Sequence, residues 1–234
     1  MWKKARLPAF LIPITILLGV DGFAQSTSEP DFTPVTQGML NDPNPQDWLM
    51  WRGGYENWGY SPLTEINRDN VDDLRLAWSW EFAPAAPGSN GMQVEPTVYD
   101  GVMYIRHSNE KYSAHNAANG DLIWEYSRPL ASEVTGYETR LTVHRGRGVF
   151  IYEDKLISHA TDGMLFALDP RDGGLIWEVA MQDFRSGQQP SGAPVAFNGS
   201  LVVPYNCTAW TAPDPCHLSA YSTEDGSLLW RWVT

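Results

Sequence analysis

One spacing constrains this 234-residue chain more than anything else in it. The segments "YSAHNAANGDLIWEY" (112–126), "LFALDPRDGGLIWEV" (165–179) and "LSAYSTEDGSLLWRW" (218–232) share three positions. Each has an alanine, a glycine six residues later, and a tryptophan ten residues after the alanine. The triplets are Ala114/Gly120/Trp124, Ala167/Gly173/Trp177 and Ala220/Gly226/Trp230, and both tryptophan spacings are 53 residues. A weaker copy ends at "LRLAWSWEF", around Trp78. A repeat of this length points to a solenoid, a propeller or an array.

The residues between the repeats choose among these. Before each triplet lies an apolar run broken by a turn signal: "PTVYDGVMYI", "GVFIYEDKLIS" and "APVAFNGSLVV". The pairs Asp100-Gly101 and Asn198-Gly199 suit two-residue hairpin turns, which need positive φ. Each triplet reads as a second hairpin, with Asn119-Gly120, Asp172-Gly173-Gly174 or Asp225-Gly226 at its turn. Two hairpins make a four-stranded antiparallel blade, so the expected fold is all-β, a β-propeller. The tryptophan is expected between adjacent blades, with the small alanine leaving room for the ring. Eleven tryptophans, 20 glycines, 17 prolines and only 19% charged residues fit short strands and tight turns. Helix is expected only as one short turn within 67–74. Three repeats and a partial one fall short of the blade number of most propellers, and open terminal edges invite pairing. Further C-terminal blades, another subunit or copies of the chain are therefore expected to cover them.

The first 24 residues read as a secretory signal peptide. Lys3, Lys4 and Arg6 precede an apolar run from Leu7 to Val20, and Gly22-Phe23-Ala24 offers small residues at the cleavage positions. The run is short for a bilayer span. The expected organisation is a signal peptide at 1–24, an N-terminal extension at 25–46 and a partial propeller at 47–234. The formal net charge is −12, which argues against nucleic acid or anionic membrane as partners.

From "DWLMWRGGYENWGYSPLTEINRDNVDDLRLAWSWEF" (47–82) onward the chain resembles the quinoprotein alcohol dehydrogenases of the methanol and ethanol dehydrogenase type. Asp47-Trp48, the Tyr-Ser-Pro-Leu segment, Ile-Asn-Arg-Asp-Asn-Val and Leu-Ala-Trp all match the family's opening. The resemblance covers almost all of the chain beyond the signal peptide. It implies an eight-bladed propeller held by tryptophan-docking repeats, of which this chain has three to four blades. It implies a periplasmic enzyme that oxidises a small alcohol. Pyrroloquinoline quinone (PQQ) would be the electron acceptor, calcium or a lanthanide the Lewis acid, and cytochrome c the next electron carrier.

Carried over residue by residue, Arg147 would donate charge-assisted hydrogen bonds to quinone oxygens. Ser191 would bond a cofactor carboxylate. The family's glutamate ahead of the first blade hairpin falls at Gln93, with Glu95 two residues on and on the same side of an extended chain, so the resemblance implies that either could approach the cofactor. Leu141 and Thr142 stand where the family often has two adjacent cysteines. Ala209 or Thr211 stands near the expected metal-binding glutamate, and neither is a charged ligand for a hard cation. The asparagine ligand and the catalytic aspartate would lie beyond residue 234.

The only cysteines, Cys207 and Cys216, flank a Pro-rich loop. With His217 they fall short of the four ligands of a closed zinc site, and a catalytic redox pair is more often CxxC. In an exported chain a disulfide is the expected state. The five histidines show no metal-binding spacing. Two functions therefore stand side by side: part of a PQQ-dependent dehydrogenase, or a non-catalytic propeller segment that binds or scaffolds. The missing metal-ligand glutamate favours the second and the family framing around Arg147 the first.

Overall fold

The computed structural model describes residues 32–81, 93–107, 110–130, 148–183, 188–190, 192–207 and 217–233. The signal-peptide reading lies outside them. Among the described residues, thirteen strands form three antiparallel sheets. The first blade contains β1 (Thr97–Tyr99), β2 (Val102–Arg106), β3 (Lys111–Asn116) and β4 (Leu122–Ser127). The second contains β5 (Phe150–Tyr152), β6 (Lys155–His159), β7 (Met164–Leu168) and β8 (Leu175–Ala180). The third contains β9 (Gln188–Pro190), β10 (Val195–Phe197), β11 (Ser200–Cys207), β12 (His217–Ser222) and β13 (Leu228–Val233). In each, the strands pair in chain order, except that the long β11 also pairs β9 at its far end.

The expected turns are present. Asp100 and Gly101 have φ of 48° and 74°, and Asn198 and Gly199 have 48° and 76°, the double positive φ of a type I′ hairpin. Strands β6 and β7 are buried over almost their whole length, because neighbouring blades cover both faces. The expected helical turn is a short 3₁₀ turn at Val71–Asp73.

The repeat joins one blade to the next. The Trp78 indole donates to Ala117 O at 3.0 Å, Trp124 to Pro170 O at 2.9 Å, and Trp177 to Thr223 O at 3.3 Å. Each acceptor lies three residues before the glycine of the following repeat. That glycine faces the ring. A Cβ on Gly120, Gly173 or Gly226 would lie 2.7, 2.6 or 2.8 Å from Trp78, Trp124 or Trp177. The room for the ring therefore comes from the glycine of the next blade. The alanine has a different place: Ala114, Ala167 and Ala220 are the cross-strand partners of Trp124, Trp177 and Trp230 in their own blades, with a register shift beside each. Trp124 is 7% exposed, whereas Trp230 is 46% exposed.

A buried polar cluster also bridges the first two blades. Glu110, between β2 and β3, accepts from Arg106 Nη2 (2.9 Å), Tyr112 Oη (2.8 Å), Thr161 N (3.0 Å) and Thr161 Oγ1 (2.6 Å). Arg128, just after β4, reaches Asp162 at 2.6 Å and Glu178 at 2.7 Å in the second blade.

The segment ahead of the blades forms an arm across their innermost strands. Val35 pairs with Glu153, and Trp48 pairs with Val98 through bonds of 2.7 and 2.9 Å. Tyr55 Oη donates to Ala196 O at 2.6 Å, and Asn198 N donates to Gln37 Oε1 at 2.8 Å. All three blades thus touch the arm, which buries Val35, Leu40, Leu49 and Met50 in the common core. Its one helix, α1 (Gln37–Asn41), is capped by Thr36.

Candidate functional site

The innermost strands β1, β5 and β10 begin at the same end of the blades. Residues 93–96, 148–149 and 192–194 lead into them. Gly148, with φ of 110°, packs so closely on Glu95 that a Cβ would lie 2.7 Å from the Glu95 carbonyl. Thr97 Oγ1 donates to Val149 O at 2.8 Å. These contacts bring the flank of Arg147 to the flank of Glu95, although Arg147 itself lies outside the described residues. Ser191 lies outside them too. Its neighbour Gly192 accepts from His159 Nε2 at 2.7 Å, and a Cβ on Gly192 would strike Pro204 at 2.8 Å.

Between the starts of β5 and β10 and the arm lies a cavity of about 440 Å³. Met50, Trp51 and Tyr55 of the arm face Phe150, Pro194 and Pro204 of the second and third blades. The size and apolar lining are those of a small-molecule site.

The other candidates are placed as follows. Gln93 is exposed. Glu95 is half-buried, and its Oε1 accepts both the Trp48 indole N–H and, at 2.9 Å, the Arg52 amide. The Cys207 side chain and Cys216 lie outside the described residues, as do Ala209 and Thr211. His217, next to them, is buried with its ring 4.3 Å from Tyr205. Among the described residues, no three His, Cys, Asp or Glu side chains are grouped to hold a metal ion.

Two buried histidines carry electrostatic information. His159 is pushed down to about 4, first by burial and then by the Arg106 charge. Its Nε2 donates to Gly192, which leaves Nδ1 as a buried lone pair with no partner among the described residues. His107 is also pushed down to about 4, chiefly by burial. Its Nε2 lies 2.5 Å from Ser113 Oγ, which lies 2.8 Å from His115 Nε2.

Sequence reasoning missed the arm's share of the cavity. The only available signal was the aromatic cluster Trp48, Trp51, Tyr55 in a Gly-rich stretch. It also missed Arg106, Glu110 and Arg128, charges placed at strand ends beside apolar runs.

Blades docked one to the next by tryptophan define a partial β-propeller. The chain belongs to the PQQ family: the model described as "Glucose/ethanol/alcohol dehydrogenase, beta-propeller domain" matches residues 48–234. It is 30% identical over 241 residues to the dehydrogenase subunit of the quinone alcohol dehydrogenase of Gluconacetobacter polyoxogenes, covering 99% of this chain and 32% of that one. It is 28% identical to the quinoprotein alcohol dehydrogenase PedH of Pseudomonas putida, covering 100% and 37%. Among solved structures, the quinohemoprotein alcohol dehydrogenase ADHIIG of Pseudomonas putida HK5 superposes with a TM-score of 0.75 at 29% identity, covering 87% of this chain and 29% of that one. The enzyme from Comamonas testosteroni gives 0.67 at 30%, covering 81% and 27%. The chain thus spans about a third of the length of these relatives.

The described lining of the cavity fits the apolar rings of the family's cofactor. A fused-ring quinone needs apolar contact, and Trp51, Tyr55, Phe150, Pro194 and Pro204 line the cavity.

Proposed function

We propose that this chain provides the first blades of an exported, PQQ-dependent dehydrogenase that oxidises a small alcohol and passes electrons to a cytochrome c. The observation that carries the reading is the aromatic cavity at the starts of β5 and β10, strands that follow Arg147 and Ser191 in the chain, in a protein of this family. Trp51, Tyr55, Phe150 and Pro194 would hold the ring system. Arg147 would bind quinone oxygens and Ser191 a carboxylate. When bound, the quinone supplies the two-electron acceptor chemistry. The chain's own residues orient it and exclude water. Lys3, Lys4, Arg6 and the apolar run support export to the periplasm, where Cys207 and Cys216 would pair. Calcium or a lanthanide would take ligands from beyond these blades, since Ala209 and Thr211 cannot supply a carboxylate.

The test is titration of the purified protein with PQQ, with and without calcium or a lanthanide, followed by quinone absorbance and tryptophan quenching. Saturable binding is expected, with Arg147→Ala at least about tenfold weaker, as for loss of a charge-assisted contact. No saturable binding overturns the cofactor reading. It leaves the second one, a non-catalytic binding or scaffold segment, which the cysteine-flanked loop in place of a metal-ligand motif supports.

A further inference from the structure

We infer that Glu95 is a positioning residue, which sets the arm wall of the cavity through the two hydrogen bonds one of its oxygens accepts rather than through a direct charge contact with the ligand. The inference rests on the reading that the cavity binds the quinone.

Glu95 stands directly before β1, and the arm runs antiparallel alongside that strand, joined to it at Trp48–Val98. One carboxylate oxygen, Oε1, takes two donors from the arm: the Trp48 indole N–H and the Arg52 backbone N–H. They lie at the entry to the turn that carries Trp51 and Tyr55 along the cavity. The turn holds conformations that need an external tie. Arg52 has φ of 58° and Asn57 of 55°, in the left-handed region that non-glycine residues occupy at a cost. Gly53, at φ of 86°, lies under the Trp48 ring, 3.0 Å from where a Cβ would sit. Gly59 N closes the loop on Arg52 O at 3.0 Å. The Glu95 backbone is in turn clamped by Gly148, so the wall takes its position from the strand start that also carries Arg147.

The bonds require an acceptor at one point in space, and they do not require a negative charge. Two substitutions separate these properties. Glu95→Gln keeps the oxygen and the reach but removes the charge. Glu95→Asp keeps the charge but draws the oxygen back by about 1.5 Å, one bond length. A 2.9 Å bond lengthened by that amount is no longer a hydrogen bond.

The experiment measures PQQ affinity of the full chain for wild type, Glu95→Gln, Glu95→Asp and Glu95→Ala. Hydrogen exchange at the Trp48 indole and the Arg52 amide is measured in parallel. Glu95→Gln is expected within about threefold of wild type with both sites protected. Glu95→Asp and Glu95→Ala are expected at least about tenfold weaker with both sites exposed, because a wall displaced by an ångström forfeits contact geometry. The reverse order, with Asp retaining affinity and Gln losing it, overturns the inference in favour of a direct charge contact. Equal loss in all three, or no loss in any, overturns it as well. If wild type binds no PQQ, the functional reading fails by itself. The exchange pattern across the same variants then still decides whether Glu95 holds the turn.

Discussion

At the scale of single residues, acid is the sharpest probe. His107 and His159 are held neutral, with folded values near 4 against an ordinary 6.5. The unfolded chain therefore binds more protons than the folded one between those values. Stability is fully present above about pH 6.5 and is lost as pH falls towards 4, at about 1.4 kcal/mol per pH unit for each fully titrating histidine. Thermal melting across pH 4–7 should show this limb, and His159→Gln, which retains a donor for Gly192, should flatten it by about one proton. Arg128 is the matching test for the ion cluster. Arg128→Met leaves Asp162 and Glu178 facing each other without their cation and should cost about 3–5 kcal/mol in urea unfolding, the range for breaking a buried pair. Little of this was legible in the sequence. Arg106 and Glu110 are close in sequence, but Thr161, which donates to Glu110, is 51 residues away in another blade, and Glu178, which binds Arg128, is 50 residues from it. No local pattern encodes that meeting.

Elements were far more legible, because hairpin turns and strand alternation are local. Asp100-Gly101 and Asn198-Gly199 form the turns their chemistry demands, and each Ala–Gly–Trp unit is a hairpin. What stayed hidden was which partner each repeat residue meets, since a tryptophan and its receiving glycine are in different repeats. A pair of glycines isolates that contact. Gly101 and Gly173 have nearly equal φ, 74° and 76°. A Cβ on Gly101 meets nothing within 4 Å, whereas one on Gly173 meets the Trp124 ring at 2.6 Å. Gly101→Ala should carry only the left-handed backbone cost of about 1–2 kcal/mol. Gly173→Ala should cost at least about 1–3 kcal/mol more from overpacking, read by chemical denaturation.

At the scale of the whole molecule, the tryptophans divide into docked and undocked. Trp78, Trp124 and Trp177 fill the three receiving turns, and Trp230 at the far side is half exposed. Trp124→Ala should cost about 3–5 kcal/mol, as for a buried aromatic. Trp230→Ala should stay within about 1 kcal/mol in this chain, a difference that paired denaturation curves resolve. The blade architecture was readable because it repeats. The arm was not, because its contacts occur once each and follow no period. Those same contacts have a consequence in time. Tyr55 reaches Ala196 across 141 residues, and Gln37 reaches Asn198 across 161. Loops of that length close late, and contacts of high sequence separation slow folding. During synthesis, Gln37 and Tyr55 emerge well before the third blade, so their bonds to Asn198 and Ala196 must wait for it, while the pairs with Val98 and Glu153 can form sooner. The order in which the chain is made is therefore not the order in which it sets.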